Sequence, residues 1–162
     1  MWSQLRKQVG KVTAIKGSIK AISISKERGT QKINVPEAEL KADFGIIGDA
    51  HAANWHRQVS LLALESIDKM AAKGVQVSPG AFAENITTEG IDLLKLAVGD
   101  KLKLGETVEV EITQFGKKCH SRCEIFKQVS DCVMPREGIF ARVTKAGSIS
   151  VGDVIEVISD ND

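Results

Sequence analysis

The fold class this sequence predicts is mostly β: a distorted barrel with a few short helices. Three observations lead there. β-branched runs alternate with period two, turn signals recur roughly every ten residues, and only one stretch has clear helical spacing. At 162 residues the chain fits one domain, taken as 1–162 with a core of about 9–158, since domains commonly run from about 50 to 250 residues. With 43% hydrophobic and 27% charged residues, it has the composition of a globular chain able to bury a core.

Val9–Ile15 (VGKVTAI) and Ala21–Ser25 (AISIS) alternate and read as two strands turning at Gly17. Gln31–Leu40 is a third strand, with Pro36 marking an edge or exit. Asp43–Ala52 (DFGIIGDAHA) has two glycines three apart before Asp49 and His51, which suggests an irregular loop using positive φ. Arg57–Ala63 reads as a buried strand. Leu64, Ile67, Met70 and Ala71 then recur at helical spacing within Leu64–Lys73, and Gly74 is a natural stop. Val75–Glu84 is turn-rich, Asn85–Thr88 a short strand, and Ile91–Leu96 about one helical turn. Lys101–Leu104 and Val108–Thr113 form two strands joined at Gly105-Glu106, and Ile149–Ile158 closes the chain. The echo of AVGDKLKLG (97–105) in SVGDVIEVI (150–158) hints at internal pseudo-symmetry.

Composition excludes several functions. A net charge of +1 gives no global attraction to nucleic acid or to an anionic membrane, and 4% aromatics without Tyr offer no base-stacking platform. Neither G-x-G-x-x-G nor a P-loop is present. The first residues are broken by Lys, Arg, Gln and Gly, whereas a signal peptide needs an apolar run of about 7–15 residues and a membrane span about 20. A cytoplasmic location is therefore expected. Three cysteines, an odd number, do not form a disulfide framework; in a reducing compartment they read as free thiols, metal ligands or sulfur carriers.

The chemistry concentrates in Lys117–Arg142, which holds all three cysteines, His120, and six basic residues against three acidic ones. Cys119 and Cys123 share a face if this segment is helical. Their basic neighbours Lys117, Lys118 and Arg122 favour the thiolate, which is both nucleophile and metal ligand. Cys132, beside Val133 and Met134, fits a small buried hydrophobe equally well. A zinc site drawing on Cys119, His120, Cys123 and Cys132, with His51 and His56, stays open, although C-x3-C-x8-C is not a standard structural zinc spacing. A Cys–His hydrolase also stays open but lacks a flanking pattern.

The pattern GKKCH-x2-C-x8-CVMPREGIFARV-x3-GSISVGDVIEV closely resembles the MOSC domain, the module named after the C-terminal part of molybdenum-cofactor sulfurase, in its short stand-alone bacterial form. GIIGDAH (45–51), RQVSLLALESI (57–67) and PGAFAENITTEGIDLLKLAVGDKLKLG (79–105) agree with it, so the resemblance runs from about residue 9 to 158. It implies a MOSC-type barrel that binds or delivers molybdenum or tungsten cofactor, or its terminal sulfur, on a cysteine persulfide or as a metal ligand. Cys119 is the first choice for that residue and Cys123 the second; either is a candidate molybdenum ligand, and the pair could carry and resolve sulfur between them. Thiolate suits a soft sulfur donor or thiophilic metal. Arg57, Arg136 and Arg142 could contact the cofactor's phosphate or carbonyls, Asn85 a heterocycle edge, and His51 is a further candidate. The resemblance also implies a cysteine desulfurase and a molybdoenzyme as partners. Pyridoxal phosphate is not expected, because the domain that carries it in the full sulfurase has no counterpart here. The alternative is a passive cofactor- or zinc-binding module without catalysis.

Overall fold

A computed structural model of the chain describes residues 16–27, 32–74, 76–116 and 137–158. Alternation builds its sheets. In β8 (Val108–Phe115), Val108, Val110 and Ile112 are fully buried while Glu109, Glu111 and Thr113 are only partly so. One face thus enters a core and the other meets water or a second layer. The described strands before it are β1 (Lys16–Ile24), β2 (Ile33–Val35), β3 (Glu37–Lys41), β4 (Gly45–Ile46), β5 (Val59–Ala63), β6 (Ile86–Glu89) and β7 (Lys101–Leu104). After it come β9 (Ile139–Lys145), β10 (Gly147–Ser150) and β11 (Val154–Ile158). Helix α1 (Leu64–Ala72) follows β5 directly, and a 3-10 turn covers Leu93–Lys95.

The large sheet runs β11-β7-β8-β9-β5-β6-β1-β2, and β11 also pairs with β1, so seven strands close a barrel with β2 attached at its side. Closure removes the open edges of those seven strands. The barrel interior holds Ile19, Ile22, Val59, Leu61, Ile86, Leu102, Leu104 and their neighbours at near-zero exposure. Each such side chain contributes roughly 1.5–3 kcal/mol by leaving water. β3, β4 and β10 form a separate three-stranded sheet. β5 and β6 run parallel, which requires a crossover; α1 and the turns after it supply one. A second cluster, Leu62, Ile67, Met70, Phe82 and Phe140, glues α1 to the outside of the barrel. The helix stops at Gly74, whose φ of 92° and bond to the Ala71 carbonyl suit a residue without Cβ.

Four expectations shift. Gly17 is not a turn; it lies inside β1, where a Cβ would come within 2.5 Å of the Glu89 carbonyl and 2.8 Å of Ile91, so it is glycine for closeness rather than for bending. Pro36 divides the expected third strand into β2 and β3, which join different sheets. The closing strand is likewise two, β10 and β11, turning at Val151–Gly152, with Gly152 at φ 98°. Ile139–Lys145 is a full strand that begins inside the stretch Lys117–Arg142. The expected strand Val9–Ile15 lies outside the described residues.

Candidate functional site

The thiol stretch leaves the barrel from the end of β8 and returns at β9, and these flanks meet through a bond from Gly116 N–H to the Gly138 carbonyl. Cys119, Cys123, Cys132, His120 and Arg136 lie outside the described residues. What the barrel places beside their point of departure is the run Trp55–His56–Arg57, just before β5. Thr113 Oγ1 donates to the His56 carbonyl, and Gln114 Oε1 stands 2.8 Å from His56 Nε2. Because the Gln114 amide nitrogen donates to the Gly116 carbonyl at 2.8 Å, its oxygen must face the imidazole, and His56 Nε2 therefore carries the proton. That leaves Nδ1 as the free ring nitrogen.

Arg57 is held by rings instead of carboxylates. Its guanidinium carbon lies 4.6 Å from the centroid of Trp55 and 5.6 Å from that of Phe140. Nε is buried and finds no hydrogen-bond partner among the described residues. Aromatic faces attract a cation by roughly 0.5–2 kcal/mol each, but they do not satisfy its N–H groups. A guanidinium in this state can accept an oxyanion without breaking any existing ion pair.

Twenty-five residues earlier in the chain, a different cation is fully satisfied. Lys32 Nζ donates to Asp49 Oδ1 at 2.6 Å and to Ser25 Oγ at 3.2 Å, and lies 3.1 Å from His51 Nδ1; the Lys32 and Asp49 side chains are both fully buried. Burial raises the Asp49 carboxyl pKa, but the bonds from Lys32 and Ser25 N–H, with the Lys32 charge, outweigh it and hold the group below its ordinary value. Asp49 Oδ2 also accepts from His51 N–H, and the His51 carbonyl accepts from Trp55 Nε1 at 3.0 Å. The GDAH glycine loop is therefore tied to the Trp55–Arg57 run through the His51 backbone. With Nδ1 facing an ammonium, the His51 imidazole is the Nε2–H tautomer.

Asn85 is 1% exposed: Oδ1 accepts from Ser60 N–H and Oγ, and Nδ2 donates to the Ser23 carbonyl, so its amide joins β1 to β5. Arg142 sits in β9 between Asp43 (3.0 Å) and Glu111 (3.2 Å), partly exposed. The structure thus brings His51 near the Arg57 run, while the side chains of Asn85 and Arg142 are engaged with other protein groups. Two groups escaped the sequence reading. Lys32 gave no local signal. Glu84 is fully buried and accepts from Gly80 N–H, Phe82 N–H and Thr87 Oγ1; burial pushes its carboxyl pKa up despite those bonds. No three His, Cys, Asp or Glu side chains gather as a metal site among the described residues. None of the described helices is long and apolar enough to cross a membrane.

Comparison with known proteins matches residues 48–156 to the family model described as the MOSC domain. No curated protein matches the chain. Among solved structures it is similar to the YuaD protein from Bacillus subtilis, at 19% identity and a TM-score of 0.73 over 88% of this chain and 96% of that one. It is also similar to YiiM from Escherichia coli, at 22% identity and a TM-score of 0.63 over 88% and 70%. YiiM from Geobacillus stearothermophilus gives 17% and 0.64 over 88% and 75%. At these identities the structural likeness speaks for the fold.

Proposed function

Because the chain belongs to the MOSC domain family, which is linked to molybdenum-cofactor sulfurase, we propose that it binds or delivers molybdenum or tungsten cofactor, or its terminal sulfur, through Cys119 or Cys123. The observation that carries this reading is Arg57: an unpaired guanidinium beside the strand end from which the thiol stretch departs. The cofactor ends in a phosphate and carries a polar pterin. Arg57 fits the phosphate by charge and by a guanidinium whose Nε no acceptor among the described residues engages. Arg136 and Arg142 are further candidates for its anionic and carbonyl groups, with His51 and Asn85 for the heterocycle. For Arg142 this role requires release from Asp43 and Glu111, and for Asn85 a second use of an amide already bonded to Ser60 and Ser23. When bound, the cofactor supplies a thiophilic metal centre.

In the sulfur-carrying step, a cysteine thiolate of this chain attacks the outer sulfur of a persulfide on a cysteine desulfurase. The new S–S bond forms as the donor's S–S bond breaks, and the donor leaves as thiolate, with no net oxidation. Lys117, Lys118 and Arg122 favour the attacking thiolate by charge. A molybdoenzyme is the proposed recipient, and the odd cysteine count supports a reducing, cytoplasmic setting.

The test is intact mass after incubation with a cysteine desulfurase and cysteine. Wild type should gain about 32 Da, one sulfur atom, and the gain should vanish in the Cys119→Ala/Cys123→Ala double variant. No gain on wild type, or an unchanged gain on the double variant, sinks the carrier. Zinc alone at one per chain after anaerobic purification would instead indicate a metal-binding module.

A further inference from the structure

We propose that Lys32 is a positioning residue for His51. It keeps the Asp49–His51 pair of the GDAH loop from working as an acid–base dyad and makes the imidazole a fixed hydrogen-bond donor. This rests on the reading of His51 as a contact for the ligand's heterocycle, and it specifies that contact as one from N–H to an acceptor atom.

The loop by itself assembles the parts of a base. Asp49 and His51 stand two apart, and the carboxylate turns back to accept the His51 backbone N–H at Oδ2. The same Oδ2 lies 3.8 Å from His51 Nδ1. With no other group at Nδ1, a carboxylate there draws the ring proton to that nitrogen and leaves Nε2 as a lone pair. That is the tautomer in which a histidine takes up protons.

Lys32, 17 residues before Asp49, reverses the assignment. An ammonium has three N–H donors and no acceptor. Asp49 Oδ1 at 2.6 Å, Ser25 Oγ at 3.2 Å and His51 Nδ1 at 3.1 Å give each donor an acceptor. Nδ1 must then present its lone pair, since a proton there would set donor against donor beside a positive charge. The ring proton goes to Nε2.

Burial makes this arrangement hard to undo. The Lys32 and Asp49 side chains are 0% exposed, whereas that of His51 is 31% exposed. Because the groups at Nδ1 are fully buried, the exposed part of the ring lies away from them. The His51 backbone is held as well, its N–H by Asp49 and its carbonyl by Trp55 Nε1. A ligand atom that accepts, such as a ring nitrogen or carbonyl oxygen of a pterin, suits the Nε2–H edge. A group that must give up a proton does not.

The test is the position of one proton. Long-range ¹H–¹⁵N spectra of the neutral ring in wild type should show His51 protonated on Nε2 with a bare Nδ1. A proton on Nδ1, or a mixture of both tautomers, overturns the proposal without any variant having to fold. Lys32→Met leaves Asp49 as the partner of Nδ1, so the proton should move from Nε2 to Nδ1. Lys32→Met/Asp49→Leu removes both partners and should give the mixed tautomers of an unconstrained imidazole. Lost packing alone would not send the proton to a chosen nitrogen, and an unchanged Nε2–H in both variants overturns the role of Lys32. Pterin, its binding followed by fluorescence, should shift the His51 Nε2 signal while the proton stays. Binding with an unmoved His51 signal overturns this contact, and no binding at all overturns the heterocycle reading on which it rests. Absent sulfur loading beside an Nε2–H tautomer would overturn only the sulfur-carrier reading, and sulfur loading beside an Nδ1–H tautomer only this one.

Discussion

Lys32 is a cation the fold withdraws fully from water and Arg57 one it withdraws in part, and they are treated in opposite ways. Lys32 is surrounded by a carboxylate, a hydroxyl and an imidazole nitrogen. Arg57 has two aromatic faces and no acceptor among the described residues. The first arrangement is complete within the protein and holds the GDAH loop against the barrel. The second leaves the guanidinium Nε buried with no acceptor among the described residues. Burial alone does not separate a structural charge from a functional one; the state of its hydrogen bonds does.

The widest gap between the two should appear in stability. Lys32→Met strands the buried Asp49 carboxylate and should cost about 3–5 kcal/mol in urea unfolding, whereas Lys32→Met/Asp49→Leu should recover most of that loss. If the single variant is as stable as wild type, the pair is not the anchor of this loop.

The pH dependence sharpens the same contrast between two buried carboxyls. The folded pKa of Asp49 lies below its ordinary 3.8, because Lys32 and Ser25 outweigh burial. Its contribution is therefore present above 3.8 and is lost as pH falls through the folded value. The folded pKa of Glu84 lies above its ordinary 4.5, because burial outweighs its hydrogen bonds. Its contribution is complete below 4.5 and is lost as pH rises through the folded value. Urea midpoints followed across pH should show that Asp49→Asn flattens the acid limb. The penalty of Glu84→Gln should be largest near about pH 4 and shrink as pH rises.

Smaller effects complete the series. Arg57→Met removes two ring contacts and one unsatisfied cation, which oppose each other, so the melting free energy should change by less than about 1 kcal/mol. A loss as large as that of Lys32→Met would mean that Arg57 is structural and the comparison fails. Arg142→Gln should change stability least, since its pairs with Asp43 and Glu111 are partly solvated and screened, below about 1 kcal/mol even at low salt. A salt-insensitive loss there would overturn that ranking.

The barrel was legible because its strands advertise themselves locally. Val108–Thr113 and Lys101–Leu104 alternate cleanly, and the long ordered motifs carry the family resemblance. What was not legible depended on distance in the chain. Gly17 looks like a turn until the Glu89 carbonyl is seen against it. His56 looks like an ordinary surface histidine until Gln114, far along the sequence, is found on its ring. Lys32 stands beside a strand with nothing near it in sequence to announce Asp49. Arg57 was singled out from its motif, but its distinguishing property is the lack of a partner, which no sequence can display.

The seam of the barrel sets the order in which it can be made. β1 begins with Lys16 opposite Glu156 of β11, so the first described strand waits for the last before the ring can shut. During synthesis, six of the seven staves can emerge while β1 still lacks one neighbour. Its exposed edge is then open to any chaperone or neighbouring nascent chain until β11 clears the ribosome. A long-range pairing of this kind makes closure slow relative to the hairpins it follows, and the interval between them is when this protein is most exposed to misassembly.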